Sequence, residues 1–506
     1  MNPFLLNIKN LILLFVLNAI SLISMAQVTS ETEALEDFLP AVVTVGVFET
    51  DLTKKTLGFR GNSTDMAYAK MLDLSGASGS GSGFFVKLNE KLYVITNAHV
   101  IEQASDANGS IYIYTINRNK YKAKVIGGDS FYDLAVLELD EKPGDEITYL
   151  KIRNAPAKIG ERVYAIGNPL GEYPYSVSDG IISAKNRVRG GLTGKFGFLQ
   201  TTATVIWGNS GGPLIDSKGN VLGINSQIAF ATQGETSIWQ PQINFALESS
   251  LAERLISDIV NNKGIIKRAF FGVEFAQKRI FHSPGSREYN YYSKMYTTDE
   301  FPVISKVPDD SPASILKSYL GYSVTAVNNE QTRNLEEILG EFEKCKPGES
   351  IKLSLKNKNE VKVVQVNSSS LTASGSEAIG QLFMKLAEAK YTVSQQKVFV
   401  SFPPEMKTLG TKHYITNLKN KQVDTGLGNF EWEVLGIGLI SGNSESLWRV
   451  NTLADAGTAA RLTGMSGVID LVLFKKGTNP NKEENFIKKR ILLSGEDNLV
   501  KQTLWY

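Results

Sequence analysis

Short apolar runs, separated by polar residues and glycines, recur along the first half of the chain and predict strands. Residues 93–96 and 134–137 are two such runs, rich in branched or aromatic side chains and too short for helices. Residues 251–260 instead carry apolar side chains at helical spacing, and residues 261–264 after them form a helix stop. We therefore expect a mostly β region that ends in one connecting helix.

Three polar residues stand beside these runs in the chain order histidine, aspartate, serine. His99 closely follows the first run, Asp133 directly precedes the second, and Ser210 lies in the segment Gly-Asn-Ser-Gly-Gly. A serine hydroxyl becomes a strong nucleophile when a neighbouring imidazole takes its proton and a carboxylate orients that imidazole. The spacing predicts a catalytic triad of His99, Asp133 and Ser210, with the N–H groups of Gly208 and Ser210 as an oxyanion hole.

Length and charge limit the classes of function. The 506 residues are enough for about three domains, each with its own core. The 54 basic and 52 acidic side chains nearly cancel, and no long block of lysine or arginine occurs, so nucleic acid is not an expected partner. No cysteine pair and no His-x-x-x-His spacing is present in the sequence, so we expect no metal and no cofactor.

Residues 1–26 have the pattern of a signal peptide. Lys9 precedes an apolar run, and Ser24 and Ala26 provide the small residues of a cleavage site. An uncleaved membrane anchor is the alternative, although the run is shorter than the ~20 residues of a membrane span. Cys345 is the single cysteine and is expected to be inert, so an exported chain would lack internal disulfides. An exported protein without internal disulfides fits a bacterial periplasm.

The segments around the three residues resemble the HtrA (Deg) family of serine proteases carrying a PDZ domain, over residues 41–366. The motifs that carry the resemblance in the catalytic part are Gly81-Ser82-Gly83-Phe84, Thr96-Asn97-Ala98-His99-Val100, Asp133-Leu134-Ala135-Val136, Ala165-Ile166-Gly167-Asn168-Pro169, Ser178-Asp179-Gly180-Ile181-Ile182-Ser183, Leu222-Gly223-Ile224-Asn225 and Asn244-Phe245-Ala246. The resemblance implies a chymotrypsin-like double β-barrel over residues 35–262, with His99 and Asp133 in the first barrel and Ser210 in the second.

The same resemblance suggests where substrate specificity arises. Thr204, six residues before the nucleophile, would lie at the base of the pocket, with Ile224, Asn225 and Ser226 as its wall. The family usually has Asn-Arg before the serine loop, whereas this chain has Ile206 and Trp207, and the indole could either cap the pocket or fill it.

A PDZ domain is expected over residues 266–367. Phe271, Gly272 and Val273 resemble the PDZ loop whose N–H groups bind the carboxylate of a peptide C-terminus. An insertion rich in tyrosine, residues 276–301, is expected to be either a binding rim or a packed hairpin, and the glycine- and serine-rich stretch 50–83 to be a flexible or regulatory loop. We interpret residues 367–376 as a linker.

Beyond the linker, a helical pattern at residues 377–390 precedes strand-like runs at 397–402, 433–440 and 468–474. They predict an α+β domain over residues 377–506, either a divergent second PDZ domain or an unrelated interaction module. The resemblance implies an ATP-independent serine endopeptidase of the bacterial cell envelope that cleaves unfolded or misfolded proteins as a homotrimer. A non-cleaving chaperone or scaffold that holds client peptides is the alternative.

Overall fold

The structure is a computed structural model. It describes residues 35–48, 77, 79–101, 110–129, 132–144, 147–189, 195–233, 236–262, 264, 266–277, 300–309, 311–370, 432–441, 444–449, 468–475, 477–479 and 482–492. The signal peptide, most of the tyrosine-rich insertion, the helix expected at 377–390 and the strand expected at 397–402 lie outside these residues.

Six strands close into the first barrel, in the order β1-β2-β3-β6-β5-β4. They are β1 (Val42–Phe48), β2 (Gly79–Leu88), β3 (Lys91–Thr96), β4 (Ser110–Tyr114), β5 (Lys120–Asp129) and β6 (Leu134–Leu139). The runs predicted as strands are β3 and β6, which pair antiparallel through Thr96 and Ala135. All seven residues of β1 are buried, so this strand is a central element of the core.

The glycine-rich segment before Phe84 was expected in a loop, but β2 begins at Gly79 and pairs with β1. Glycine is required there by close approach, because a Cβ on Gly81 would lie 2.6 Å from Val100 and one on Gly83 would lie 2.8 Å from the Ile95 carbonyl. The loop prediction was wrong for residues 79–83 because the composition of flexible loops also suits a tightly packed strand.

The second barrel also has six strands, in the order β8-β9-β10-β13-β12-β11, and the pairing of β11 with β8 closes it. These strands are β8 (Arg162–Gly167), β9 (Ser176–Arg189), β10 (Lys195–Thr201), β11 (Pro213–Ile215), β12 (Asn220–Gln233) and β13 (Thr236–Glu248), and the short strand β7 (Lys151–Ile152) pairs with β12. The double β-barrel expected from the sequence is therefore confirmed.

The predicted connecting helix is α1 (Ser249–Asn261), which buries its apolar face, including Leu251, Leu255 and Ile259. Its side chains belong to the same apolar cluster as the first barrel, Ile224 and Leu247 of the second barrel, and the unit that follows. The helix therefore joins three parts of the core.

A third unit follows α1. Its strands are β14 (Ala269–Phe270), β15 (Glu274–Ala276), β16 (Val303–Lys306), β17 (Ser323–Val327), β18 (Glu330–Gln331), β19 (Ser350–Asn357), β20 (Glu360–Asn367) and β21 (Ser369–Ser370), and its helix is α2 (Leu335–Glu343). The main sheet has the order β15-β16-β17-β19-β20. Ser369 and Ser370 were expected in a linker, but they pair with Phe270 and Ala269 and close the unit.

The described part of the C-terminal region is an antiparallel sheet in the order β23-β22-β24-β25. Its strands are β22 (Trp432–Ser441), β23 (Ser444–Arg449), β24 (Val468–Lys475) and β25 (Phe486–Leu492). Two of the predicted strand runs, 433–440 and 468–474, fall on β22 and β24.

Across the residues that the structure describes, no helix has the length and hydropathy needed to cross a membrane.

Candidate active site

Asp133 lies in the turn between β5 and β6, with its backbone at φ +61°. Few residues other than glycine adopt this left-handed conformation, and here the Asn97 side-chain amide donates to the Asp133 carbonyl at 2.7 Å. Asp133 is 5% exposed. The turn therefore presents one buried carboxylate in a fixed orientation.

The Nδ1 atom of the His99 ring contacts that carboxylate. Nδ1 lies 2.8 Å from Asp133 Oδ1 and 2.9 Å from Oδ2, and the His99 backbone N–H donates to Oδ1 at 3.0 Å. Because an ionised carboxylate only accepts hydrogen bonds, Nδ1 carries the proton, and a neutral ring then has its lone pair on Nε2. The imidazole is 46% exposed, so a substrate can reach it. It has the tautomer that a general base requires.

Ser82 on β2 joins this region to the loops of the second barrel. Its hydroxyl donates to the Gly208 carbonyl at 2.7 Å and accepts from the Asn168 N–H at 2.8 Å. Its backbone N–H donates to the Ser210 carbonyl at 2.8 Å, and its own carbonyl accepts from the Thr96 hydroxyl. A buried residue of the first barrel thus holds the loop of Ser210 beside the segment that carries His99.

Glycines are required in the Ser210 loop. Gly208 has φ +95°, and a Cβ there would lie 2.1 Å from the Asn168 carbonyl oxygen. Gly211 has φ +86°, and a Cβ there would lie 2.2 Å from the Ser82 carbonyl oxygen. Neither position could carry a side chain without moving the backbone.

The orientation of the peptide before Gly208 is fixed. The Trp207 carbonyl accepts from the Leu170 N–H at 2.6 Å. Carbonyl and N–H point in opposite directions in a trans peptide, so the Gly208 N–H points away from Leu170. Within the described residues, neither the Gly208 N–H nor the Ser210 N–H donates a hydrogen bond, and both remain available to a developing oxyanion.

The residues predicted for the pocket have different contacts. Thr204 is half-buried, and its carbonyl accepts from the Ser178 hydroxyl at 2.6 Å. Ile224 packs in the core, and Asn225 exchanges backbone hydrogen bonds with Gly211 and Gly212 beneath the serine loop. Their predicted place in the pocket wall stays a prediction.

Ser226 was also predicted in the pocket wall, but the structure places its hydroxyl against Asp133 Oδ2, to which it donates a short hydrogen bond. Ser226 is 3% exposed. Trp207, which the sequence left as either a cap or a filler, is 66% exposed and therefore does not fill the interior.

The second predicted site, Phe271 to Val273, lies between β14 and β15. Gly272 has φ +66°, and within the described chain neither its N–H nor that of Val273 donates a hydrogen bond. The Phe271 carbonyl instead accepts from the Ala313 N–H and the Ser311 hydroxyl. Successive N–H groups without an internal acceptor are the feature of an anion-binding loop.

Next to this loop, β15 forms the edge of the sheet and α2 lies alongside it. The rings of Phe271 and Phe275 contact Phe342 of α2, with centroids 4.5 and 5.7 Å apart. At the other end, the Gln277 side chain accepts from the Leu335 N–H at the start of α2. All three rings are almost fully buried, so they pack the loop and β15 against α2.

Sequence reasoning missed Arg268, which joins the third unit to the first barrel. Its guanidinium donates to Asp129 at 2.8 Å and to Glu343 of α2 at 3.1 Å, and all three side chains are at most 5% exposed. Asp129 in turn accepts from the Tyr132 N–H, in the turn that leads to Asp133. No local pattern could have found this network, because its members are 75 and 139 residues apart.

Among the described residues, no group of three or more histidine, cysteine or acidic side chains is arranged to hold a metal ion.

Comparison with known proteins identifies the family. The family described as trypsin-like peptidase domain matches residues 81–224. The serine endoprotease DegS of Escherichia coli is 30% identical over 293 residues, which are 56% of this chain and 75% of DegS. The chain belongs to the HtrA family of serine proteases.

Other HtrA-family relatives are longer than the part that they share with this chain. A probable periplasmic serine endoprotease, DegP-like, of Brucella suis is 31% identical over 291 residues, 56% of this chain and 52% of that protein. This HtrA-family chain therefore spans about half the length of that relative. Among solved structures, the serine endoprotease of Yersinia pestis is 25% identical, with a TM-score of 0.37 over 68% of this chain and 98% of its own.

Proposed function

We propose that this chain is a serine endopeptidase in which Ser210 is the nucleophile, His99 the general base and Asp133 the residue that orients and stabilises His99. The observation that carries the proposal is the His99 Nδ1 contact with both carboxylate oxygens of Asp133, at 2.8 and 2.9 Å. This contact fixes the tautomer in which Nε2 can accept a proton.

In the proposed reaction, Ser210 Oγ attacks the carbonyl carbon of a peptide bond while its proton passes to His99 Nε2. The carbonyl oxygen becomes an oxyanion that accepts hydrogen bonds from the Gly208 and Ser210 N–H groups. Collapse of this intermediate breaks the C–N bond, and His99 returns the proton to the leaving amine. Water activated by the same imidazole then hydrolyses the acyl-enzyme and regenerates the Ser210 hydroxyl.

Unfolded or misfolded polypeptides are the proposed substrates, and the bacterial periplasm is the proposed location. The name of the Brucella suis relative, a probable periplasmic endoprotease, supports the location, as does the signal-like pattern of residues 1–26. A homotrimer is proposed from the family resemblance and is testable by light scattering. No ATP, metal or other cofactor enters the proposed reaction.

The proposed specificity is for small or medium aliphatic side chains before the cleaved bond. Thr204 is uncharged, and neither Ile224 nor Asn225 offers a carboxylate to pair with a lysine or arginine. Sequencing the cleavage products of an unfolded protein tests this, and a majority of lysine or arginine before the cut would contradict it.

We propose that residues 266–367 act as a PDZ domain that binds peptide C-termini. The free N–H groups of Gly272 and Val273 and the edge strand β15, which is packed on α2 through Phe275 and Phe342, support the proposal. Binding there either activates the protease or only tethers the substrate. A short peptide with an apolar free C-terminus speeds cleavage of an unrelated small substrate only in the first case.

The test of the central proposal is covalent labelling of Ser210 by a fluorophosphonate, together with cleavage of casein. The wild-type chain should label and cleave, and Ser210→Ala should do neither while keeping its far-ultraviolet circular dichroism. A wild-type chain that does not label but still prevents aggregation of an unfolded protein would favour the non-cleaving chaperone instead.

A further inference from the structure

Two large apolar side chains are exposed beside the proposed oxyanion hole. Trp207 is 66% exposed and directly precedes Gly208, and Leu170 is 55% exposed. They belong to separate loops whose backbones are joined by the hydrogen bond from the Leu170 N–H to the Trp207 carbonyl. Single exposed apolar residues are common on protein surfaces, but here two of them lie on hydrogen-bonded backbones next to Gly208, which makes this surface a candidate for binding.

The backbone holds Leu170 at this position. Its φ of +59° lies in the left-handed region that bulky residues rarely adopt. The loop is fixed on one side by the Asn168 N–H, which donates to Ser82, and on the other by the bond to Trp207. An unfavourable conformation that keeps an apolar side chain in water, next to a nucleophile, is typical of a functional position.

This pair is separate from the pocket proposed for the residue before the cleaved bond. The Thr204 carbonyl faces Ser178 of β9, whereas the Trp207 carbonyl faces the loop of Leu170. When the substrate carbonyl oxygen binds the Gly208 and Ser210 N–H groups, the substrate side chain before the cleaved bond enters the proposed pocket. The substrate side chain after the cleaved bond then lies against the surface next to Gly208.

We propose that Trp207 and Leu170 form an apolar platform that binds a large apolar side chain directly after the cleaved bond; the proposal rests on the proposed endopeptidase function. An indole offers a large rigid surface whose contact with an aliphatic or aromatic side chain removes apolar area from water. Unfolded polypeptides expose such side chains, whereas folded proteins bury most of them. The platform therefore favours unfolded substrates and contributes to the choice of bond.

The test compares peptides that differ only at the residue after the cleaved bond, which is phenylalanine, leucine or glycine. The quantity measured is the ratio of kcat/KM for the phenylalanine or leucine peptide to that for the glycine peptide. Trp207→Ala and Leu170→Ser should each lower this ratio about tenfold, the size expected from losing one apolar contact. Trp207→Phe, which keeps an aromatic ring, should retain most of the preference.

Tyr149→Ala is the matched control, because Tyr149 is an exposed aromatic residue (41%) in the connection between β6 and β7, beside Lys87 of β2 and outside the proposed site. Its ratio should equal that of the wild type. An unchanged ratio in both Trp207→Ala and Leu170→Ser would overturn the platform alone. A lower number of subunits in Trp207→Ala with an unchanged ratio would assign the surface to contact between copies and also overturn it. A wild-type chain that cleaves no peptide would overturn the proposed function and the platform together.

Discussion

At the scale of single residues, Asp133 is the most closely held group of the proposed site. Its carboxylate accepts from the His99 ring, the His99 backbone and the Ser226 hydroxyl, while its carbonyl accepts from Asn97. The three donors to the carboxylate stabilise its ionised form and restrict rotation of the side chain, whereas Asn97 holds the backbone. The orientation of His99 therefore depends on residues that never contact the substrate.

Ser226 is predicted to be a positioning residue. Ser226→Ala removes one donor to Asp133, and because hydrogen bonds to charged groups contribute about 1.5–3 kcal/mol, we expect kcat to fall about tenfold or more. The less stabilised carboxylate should also move the acid limb of the pH–rate profile to higher pH, since it holds the imidazolium more tightly. Ser226→Thr, which keeps the hydroxyl, should restore both. Half-buried Ser176, whose hydroxyl donates to the Tyr173 carbonyl, provides the control variant Ser176→Ala.

Cys345 is predicted to be unreactive in the folded chain. Burial raises the pKa of its thiol to about 11, and only the thiolate reacts with iodoacetamide. At pH 8 we expect slow alkylation of the native chain and rapid alkylation in urea, measured by mass spectrometry. Equal rates in both conditions would contradict the buried position of Cys345.

The three residues of the proposed triad could be named from the sequence because each lies in a recognisable local motif. Ser82 and Ser226 could not, since their roles depend on contacts 126 and 93 residues away in the chain. The four residues of Gly81-Ser82-Gly83-Phe84 contributed to the family resemblance, yet nothing local indicates that the Ser82 hydroxyl bonds to Gly208. Trp207 was noticed as a departure from the family, but its exposure required the structure.

At the scale of elements, Arg153 joins three connections of the second barrel. Located just after β7, it pairs with Glu161 before β8 at 2.5 Å and with Asp216 after β11 at 3.5 Å. The hydrogen bond from Arg153 outweighs burial and lowers the pKa of Glu161 below its ordinary value. The pair therefore stabilises the folded barrel most when Glu161 is ionised.

Glu161→Gln is predicted to destabilise the chain by about 1 kcal/mol at pH 7, as expected for a half-buried pair. Because the folded-state pKa is the lower one, this contribution is present above the unfolded-state pKa and is lost as the pH falls through the folded-state value. The unfolding free energies of variant and wild type should thus converge only as the pH falls below the folded-state pKa of Glu161, which lies under its ordinary value. Urea unfolding at pH 7 and at a series of acidic pH values measures the difference, and a gap that does not narrow as the pH falls would contradict the ionic origin.

Element types were largely predictable, whereas two element boundaries were not. The apolar runs at 93–96 and 134–137 and the helical spacing in 251–260 reappear as β3, β6 and α1. Gly79 to Gly83 and Ser369 to Ser370 were expected to be loop and linker because their compositions are those of flexible chain. Both are strands, since a partner strand supplies the hydrogen bonds that composition cannot reveal.

At the scale of the whole molecule, buried charges connect the third unit to the barrels. Arg268 joins Asp129 of β5 to Glu343 of α2, and Lys344 pairs with Glu248 at the end of β13 at 2.7 Å. Burial lowers the pKa of Lys344, but Glu248 and Glu341 outweigh it and hold the pKa above its ordinary value. Such networks give little net stability, yet removing one member leaves buried charges unpaired.

Arg268→Met should therefore destabilise the chain by about 3–5 kcal/mol, because it leaves Asp129 and Glu343 buried without their partner. Arg162→Met is the control, since Arg162 forms an exposed pair with Asp179, with side chains 61% and 66% exposed; its expected cost is below about 1 kcal/mol. Thermal and urea unfolding measure both. Equal effects of the two substitutions would contradict the importance of the buried network.

The dependence of the serine loop on Ser82 has a consequence for the folding of newly made chains. The loop of Ser210 is held by a strand that precedes it by more than a hundred residues, in the other barrel. A chain that has folded only one barrel, or both barrels without docking them, lacks a correctly placed nucleophile. If the proposed function holds, newly made copies become able to cut only after both barrels have folded and docked.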